Sequence, residues 1–429
     1  MDLFPITNDA VILALLMVIL AVVFKTSSSS NKYLKKFYGV VPSLLLCYFL
    51  PSILNSTGVV NIADSKLYFM ASRYLLPASL VLLCLSIDIK AILSLGPKAI
   101  TMFLTATAGI VFGGPLALLL VSSVAPDLLG GMSPQDLWRG FATVAGSWIG
   151  GGANQTAMKE IYGVEEEVFQ SMLVVDLFIS NLLTTVMLYG VGISDKIDRW
   201  IGADNSTITK LKEKAERLGD SVSKPITFTG LTTLMGVTFG IVGFSHLLAD
   251  IIAPDLKSVI DGVLAKNPDS WVKYFTSVGG GFFWLVVLAT LGGFLLSFTR
   301  AKKLEEAGAS KFGSLFLYVL VATIGMKMNL RELVENWPLF KGLLTVGAIW
   351  ISFHAILLIV VAKFIKAPFF YVAVGSQANV GGAASAPVVA SAVSPSLAPV
   401  GVLLAVLGYA VGTFGAIACA SLMQWTVGG

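Results

Sequence analysis

The sequence predicts an all-α polytopic membrane protein of two inverted-topology repeats. Each repeat holds about five transmembrane helices plus one re-entrant, broken helical hairpin. Three observations predict it. Of 429 residues, 56% are hydrophobic and only 13% charged, with a mean hydropathy of +0.84; a soluble domain carries roughly 25% charged residues. Apolar runs of about 20 residues, the length that spans a bilayer, recur along the chain. A glycine-rich stretch occurs twice, as Gly146 to Thr156 (Gly-Ser-Trp-Ile-Gly-Gly-Gly-Ala-Asn-Gln-Thr) and Gly375 to Pro387 (Gly-Ser-Gln-Ala-Asn-Val-Gly-Gly-Ala-Ala-Ser-Ala-Pro). The Gly-Ser pairs lie 229 residues apart and the Gly-Gly-Ala triplets 230. Broken helices at matching positions of two halves point to a transporter's binding site.

The spans follow in order. The first half, residues 1–193, reads as spans at about 8–24, 37–54, 73–91 and 98–124, a glycine-rich element at 139–162, and a span at 167–193. The third span is interrupted by Pro77 and ends near Asp88. Residues 194–225 form the one long hydrophilic segment, a linker in which Thr209 to Leu218 reads as a short surface helix. The second half, residues 226–429, repeats the order at 226–250, 271–298, 312–328, 338–363, a glycine-rich element at 368–393, and 397–425. Cys84 to Asp88 corresponds to Thr323 to Lys327, each closing an apolar run with a charge. Similar order and spacing argue for an internal duplication. The N-terminus lacks a basic flank and a cleavage site, so 11–24 reads as a retained helix. Cys47, Cys84 and Cys419 lie in apolar segments without metal-ligand spacing and read as free thiols.

Charge decides between a hairpin and a kinked crossing. With the N-terminus outside and the glycine elements re-entrant, 19 of the 29 basic residues fall in inner loops, as the positive-inside bias requires. If the elements crossed, the basic linker would lie outside and the bias would vanish. The expectation is therefore a multi-pass plasma (cell inner) membrane protein with both termini outside and a cytoplasmic linker. An odd number of crossings per half inverts the second half and lets the hairpin tips meet near the midplane. The net charge of +4 is explained by these loops and is no argument for nucleic acid.

The tips carry the chemistry. Unpaired backbone in hydrocarbon survives only against protein or a wet cavity, and helix N-termini there expose N–H groups that suit an anion. Asn154 in the first hairpin and Ser385 in the second are expected as N-caps of the second arms, with Pro387 early in its helix. The expected substrate-binding residues are Ser147, Gly151, Gly152, Asn154, Gln155 and Thr156 of the first hairpin. In the second they are Ser376, Gln377, Asn379, Gly381, Gly382 and Ser385. The competing reading is that the glycines only permit close helix packing. Asp176, inside the apolar run Met172 to Ile179, is the other candidate. Intramembrane acids mark ion or proton paths, and Ser180, Asn181 and Thr184 lie near it in helical register. This group suits Na⁺ or H⁺; the alternative is a salt-bridged structural aspartate. Lys327 and Asp88 read as interfacial, His354 as a packed residue rather than a relay, and His246 carries little signal. No P-loop, zinc spacing or nucleophile elbow is present, so neither an ATP-driven pump nor another enzyme is expected, and no organic cofactor is called for.

The two glycine-rich stretches resemble those of the YjcL-like family, a domain of unknown function, and the resemblance covers nearly the whole chain. That family is grouped with the cation:proton antiporter and anion transporter superfamily. The resemblance implies a mobile core and a scaffold domain, usually in a homodimer, moving by an elevator mechanism. Five spans plus a hairpin per half is most similar to the glutamate:sodium symporters. Sodium/proton antiporters of the superfamily often carry two adjacent intramembrane acids, whereas Asp176 is followed by Leu177. The expected function is secondary active transport of a small organic anion (an amino acid, carboxylate or short peptide) coupled to Na⁺ or H⁺. The alternatives are a cation/proton antiporter without an organic substrate and a non-transporting membrane scaffold.

Overall fold

A computed structural model describes residues 5–38, 41, 43–204, 206, 208, 211, 226–268, 270–327 and 337–427. Most of the expected linker helix, Thr209 to Leu218, lies outside the described residues.

The elements of the first half are α1 (Asp9–Ser27), α2 (Lys32–Tyr38), α3 (Ser43–Ser56), α4 (Leu67–Leu85), the short α5 (Ile89–Ser94), α6 (Pro97–Val124), α7 (Pro134–Tyr162) and α8 (Glu166–Gly192). After α9 (Ser194–Ile201) come α10 (Phe228–Lys266), α11 (Gly281–Ser297), α12 (Ala309–Gly325), α13 (Trp337–Ile365), α14 (Phe369–Val380), α15 (Gly382–Val393) and α16 (Ala398–Val427). Among the described residues, seven helices are long and apolar enough to cross a membrane. Polar starts are sequence-coded. The Asn8 side chain accepts from the Ala10 and Val11 amides at α1, Ser133 from the Asp136 amide at α7, and Thr227 from the Gly230 amide at α10, as N-caps do.

Three spans depart from expectation. The third starts earlier, at Leu67, and its interruption by Pro77 is a loosened ladder within one helix. Proline lacks the N–H that would bond the carbonyl four residues back. Here the ladder loosens into a π-helical turn at Ala71–Leu75, and the freed Arg73 carbonyl accepts from the His246 ring of α10 at 3.0 Å. The sixth span runs on to Lys266, well past 250. The seventh is split: a 3₁₀ segment Trp271–Gly279 meets α11 at 73°.

The chain packs as two bundles. The first three spans of each half (α1, α3, α4; α10, α11, α12) pack on one another. The last parts of each half (α6, α7, α8; α13 to α16) form the second bundle. The bundles meet where α4 and α11 touch α7 and α16. Within the second bundle α6 and α13 run antiparallel, since the Ala106 carbonyl faces His354 while the Ile110 carbonyl faces Trp350. Gly109 and Gly113 admit those two large side chains, the close approach that small residues give in membranes.

The first glycine element is a hairpin. Trp138 and Tyr162, at opposite ends of α7, stack edge to face with centroids 5.2 Å apart. Twenty-four residues of straight helix would separate them by about 36 Å. The arms fold back so closely that a Cβ on Gly146 would lie 2.6 Å from the Asn154 carbonyl oxygen. Gly146→Ala is therefore expected to cost about 1–3 kcal/mol, read as a lowered melting temperature in detergent. Gly236→Ala, with nothing within 4 Å of the added carbon, is expected to hold or raise stability. Equal tolerance at both positions would mean that the arms do not touch.

Candidate functional site

Both hairpins turn on glycine. Gly151 adopts φ 76°, ψ −174°, a conformation closed to L side chains. Gly382 has φ 56°, and Gly381 before it has no room for a Cβ against the Ser385 hydroxyl. Helix resumes at once after each break. The expected N-caps are therefore corrected. Asn154 lies inside the second arm, donating to the Gly150 and Tyr409 carbonyls at 3.0 and 3.2 Å and accepting from Thr413 at 2.5 Å. Ser385 lies in the first turn of α15 and donates to Gln377 Oε1 at 2.7 Å. Pro387 sits inside α15. With Gly381 at the cap position, α15 begins with no side-chain cap, and its first N–H groups have no acceptor within their own helix.

The two breaks line one cavity of about 360 Å³. It holds Ser147, Gly151 and Gly152 of the first hairpin and Gly381, Gly382 and Ser385 of the second. Asp176, Ser180, Asn181 and Thr184 of α8 form another wall. Ser314, Leu317 and Tyr318 of α12 close it from the other bundle, and Tyr409 of α16 lines it beside Gly151. Ten of the expected site residues are thus brought together.

Asp176 is held from both arms of the first hairpin. Its Oδ1 accepts from Trp148 Nε1 at 2.7 Å and its Oδ2 from Gln155 Nε2 at 3.0 Å, and the Ser147 hydroxyl lies against the same carboxylate. Among the described residues it takes part in no ion pair, so the salt-bridged reading fails there. Charge-assisted bonds to a carboxylate contribute about 1.5–3 kcal/mol each, which is how a buried acid is kept in place without a cation. Its cavity-facing side, with Ser180 and Thr184, offers the oxygens a Na⁺ would take.

The other expected residues stand behind the wall. Gln155 serves Asp176. Thr156 bonds the Gly152 carbonyl at 3.0 Å and lies beside Tyr48 of α3. Asn379 donates to the Phe103 and Gly375 carbonyls and accepts from Thr107. Gln377 Oε1 accepts from Thr184 at 2.9 Å and from Ser385, while its buried Nε2 has no partner among the described residues. Ser376 bonds His354 Nε2 at 2.9 Å. His354 Nδ1 faces a carbonyl and must be the donor there, so Nε2 accepts from the serine. His354 is a packed residue that fixes the first arm of the second hairpin. Asp88 pairs with Lys302 at 3.2 Å and caps α5. Burial opposes it, but the Ala91 amide and Lys302 together hold its carboxyl below the ordinary value.

A family profile described as "Protein of unknown function (DUF819)" matches residues 14–425. The chain belongs to the DUF819 family. It is 25% identical over 379 residues to the "Uncharacterized membrane protein YjcL" of Bacillus subtilis (strain 168), covering 84% of this chain and 85% of that one. With its apolar helices, this DUF819 chain is a multi-pass membrane protein.

Sequence reasoning missed Trp148, Tyr409 and Thr413. Trp148 stood inside the quoted stretch but looked like packing. The other two follow from the 229-residue offset: Thr413 corresponds to Thr184 and Tyr409 to Ser180. Thr184 and Thr413 each bond a hairpin that belongs to the opposite half. Asp176 has Ala405 at its counterpart position, so the site has one acid.

Asp176→Asn should leave the fold nearly intact, because the Gln155 amide can turn over and accept from the new NH₂. Asp176→Leu strands two buried donors, at about 1–3 kcal/mol each. Melting curves are expected to place the asparagine variant near wild type and the leucine variant well below it.

Proposed function

We propose that this DUF819 chain is a secondary active transporter of a small organic anion, an amino acid, a carboxylate or a short peptide, coupled to Na⁺ or H⁺. One observation carries the reading: glycine breaks from both halves and one buried acid, Asp176, line one cavity at the boundary between the two bundles. The uncapped N-terminus of α15 suits the anion, and Gln377 behind the wall holds Ser385 at that tip. Asp176 with Ser180, Asn181 and Thr184 suits the coupling ion. The antiparallel α6 and α13, and the matched Thr184 and Thr413 contacts, support inverted repeats. On this reading the core bundle carries the tips past the first three spans of each half, as an elevator does. The resemblance to glutamate:sodium symporters, a homodimeric assembly, the inner-membrane location, a cytoplasmic linker and outer termini belong to the same proposal.

The unpaired state of Asp176 favours one competitor, a cation/proton antiporter without organic substrate. Thermal stability of the purified protein against a panel of small anions, with and without Na⁺, separates the two. Native-state binding raises stability by mass action, about 2.7 kcal/mol at a hundredfold excess over Kd. The carrier predicts stabilisation by one anion class, strengthened by Na⁺ or by lower pH, and loss of that response in Gln377→Leu. A response to Na⁺ or pH alone, abolished by Asp176→Asn, would replace the carrier with the antiporter.

A further inference from the structure

A buried charge network joins the two bundles away from the cavity. On the core side stand Lys159 and Glu160, at the far end of the first hairpin, and Glu166, at the start of α8. On the other side stand Tyr68 and Arg73 of α4 and Lys327, just past the end of α12. Arg73 pairs with Glu160 at 3.5 Å, Lys159 with Glu166 at 3.2 Å, and Lys327 with Glu166 at 3.9 Å. Lys159 Nζ donates to the Tyr68 hydroxyl at 2.8 Å, and that hydroxyl donates to Glu160. Lys327 lies 3.6 Å from the Tyr68 ring centroid. The Lys159 and Glu160 side chains are only 6% and 11% exposed.

Position gives the network its meaning. The cavity residues lie around the middle of both helices, Asp176 to Thr184 in α8 and Ser314 to Tyr318 in α12. The network occupies one end of each, the N-terminal end of α8 and the point just past the C-terminal end of α12. We propose that it is an ionic seal, which holds the core bundle against the first three spans and closes the path from the cavity to the membrane face on the network's own side. Arg73 sits in the π-helical turn opened by Pro77, where a small repacking redirects its side chain. The seal opens when the core moves, and the pairs across the interface part together: Arg73 from Glu160, Lys327 from Glu166, and Tyr68 from both hairpin residues. Removing one partner from a buried pair leaves an uncompensated charge, so a single neutralised position loosens the whole face.

The test reads access, not transport. In a background with Cys47, Cys84 and Cys419 replaced by alanine, Thr156→Cys serves as reporter. It lies one turn toward the tip from Lys159 and Glu160, on the same helical face. A membrane-impermeant maleimide is applied to each side of the membrane in separate experiments. With the network intact, labelling from the sealed side is expected to be slow. Glu160→Gln with Glu166→Gln should raise it about tenfold or more. The charge swap Arg73→Glu with Glu160→Arg should return it toward the slow rate, which distinguishes a seal from a damaged fold. Equal labelling with and without the carboxylates, or fast labelling in the parent, would overturn the seal. A swap as fast as the glutamine pair would do the same. Because no substrate is involved, a protein that responds to no anion but shows this pattern keeps the seal and loses the carrier.

Discussion

A helix broken inside a bilayer has to find partners for the backbone groups it frees, and the second bundle is arranged around that demand. Water is absent from the hydrocarbon, so each unmet group costs several kcal/mol. Here α16 threads between the two breaks. Its Gly408 lies so near the Ile149 carbonyl that a side chain there would strike it and crowd the Ala378 carbonyl, and Gly412 lies against the Gly150 backbone. Asn154 and Asn379 each turn back to the carbonyl one turn behind, Gly150 and Gly375. The polar residues of the two stretches thus divide into two sets. One set repairs the broken helices from behind, and the other faces the cavity.

That division explains what was legible in the sequence. The hairpins were readable because two unlike signals agreed: the glycine breaks at a fixed offset, and the placement of basic residues. Asp176 and its companions were readable because helical register put them on one face. The roles within the hairpins were not readable. Asn154 and Ser385 look like caps by residue type, yet the helix resumes on glycine before either is reached. Pro77 was readable as an interruption of its span, but the contact from His246 that takes up the carbonyl it frees was not. The charges at 73, 159, 160, 166 and 327 are scattered over four elements, and only folding brings them together. The Thr290 to Thr413 to Asn154 chain of hydroxyl and amide contacts, which crosses from α11 to the first hairpin, is equally invisible in one dimension.

The cavity and Asp176 are mechanically joined. Trp148 before the break and Gln155 after it both bond the one carboxylate, so any change in its charge or in a cation beside it alters the grip on both arms. On the proposed reading this is how an ion binding on α8 is felt at the hairpin tip. The second hairpin is linked to the same helix through Thr184 and Gln377, and Gln377 in turn holds Ser385. Both tips therefore answer to α8, although only one of them touches the acid.

The central claim is that an anion binds where the two tips meet. Ala384, exposed in the cavity wall, offers the most direct measurement. Ala384→Cys in the cysteine-free background is labelled with a small thiol reagent, with and without the anion that raises the melting temperature most. The account predicts that labelling slows as the anion saturates, with the Kd that the mass-action rise in melting temperature gives. Unchanged labelling under an anion that clearly stabilises the protein would place the binding site elsewhere and contradict the account.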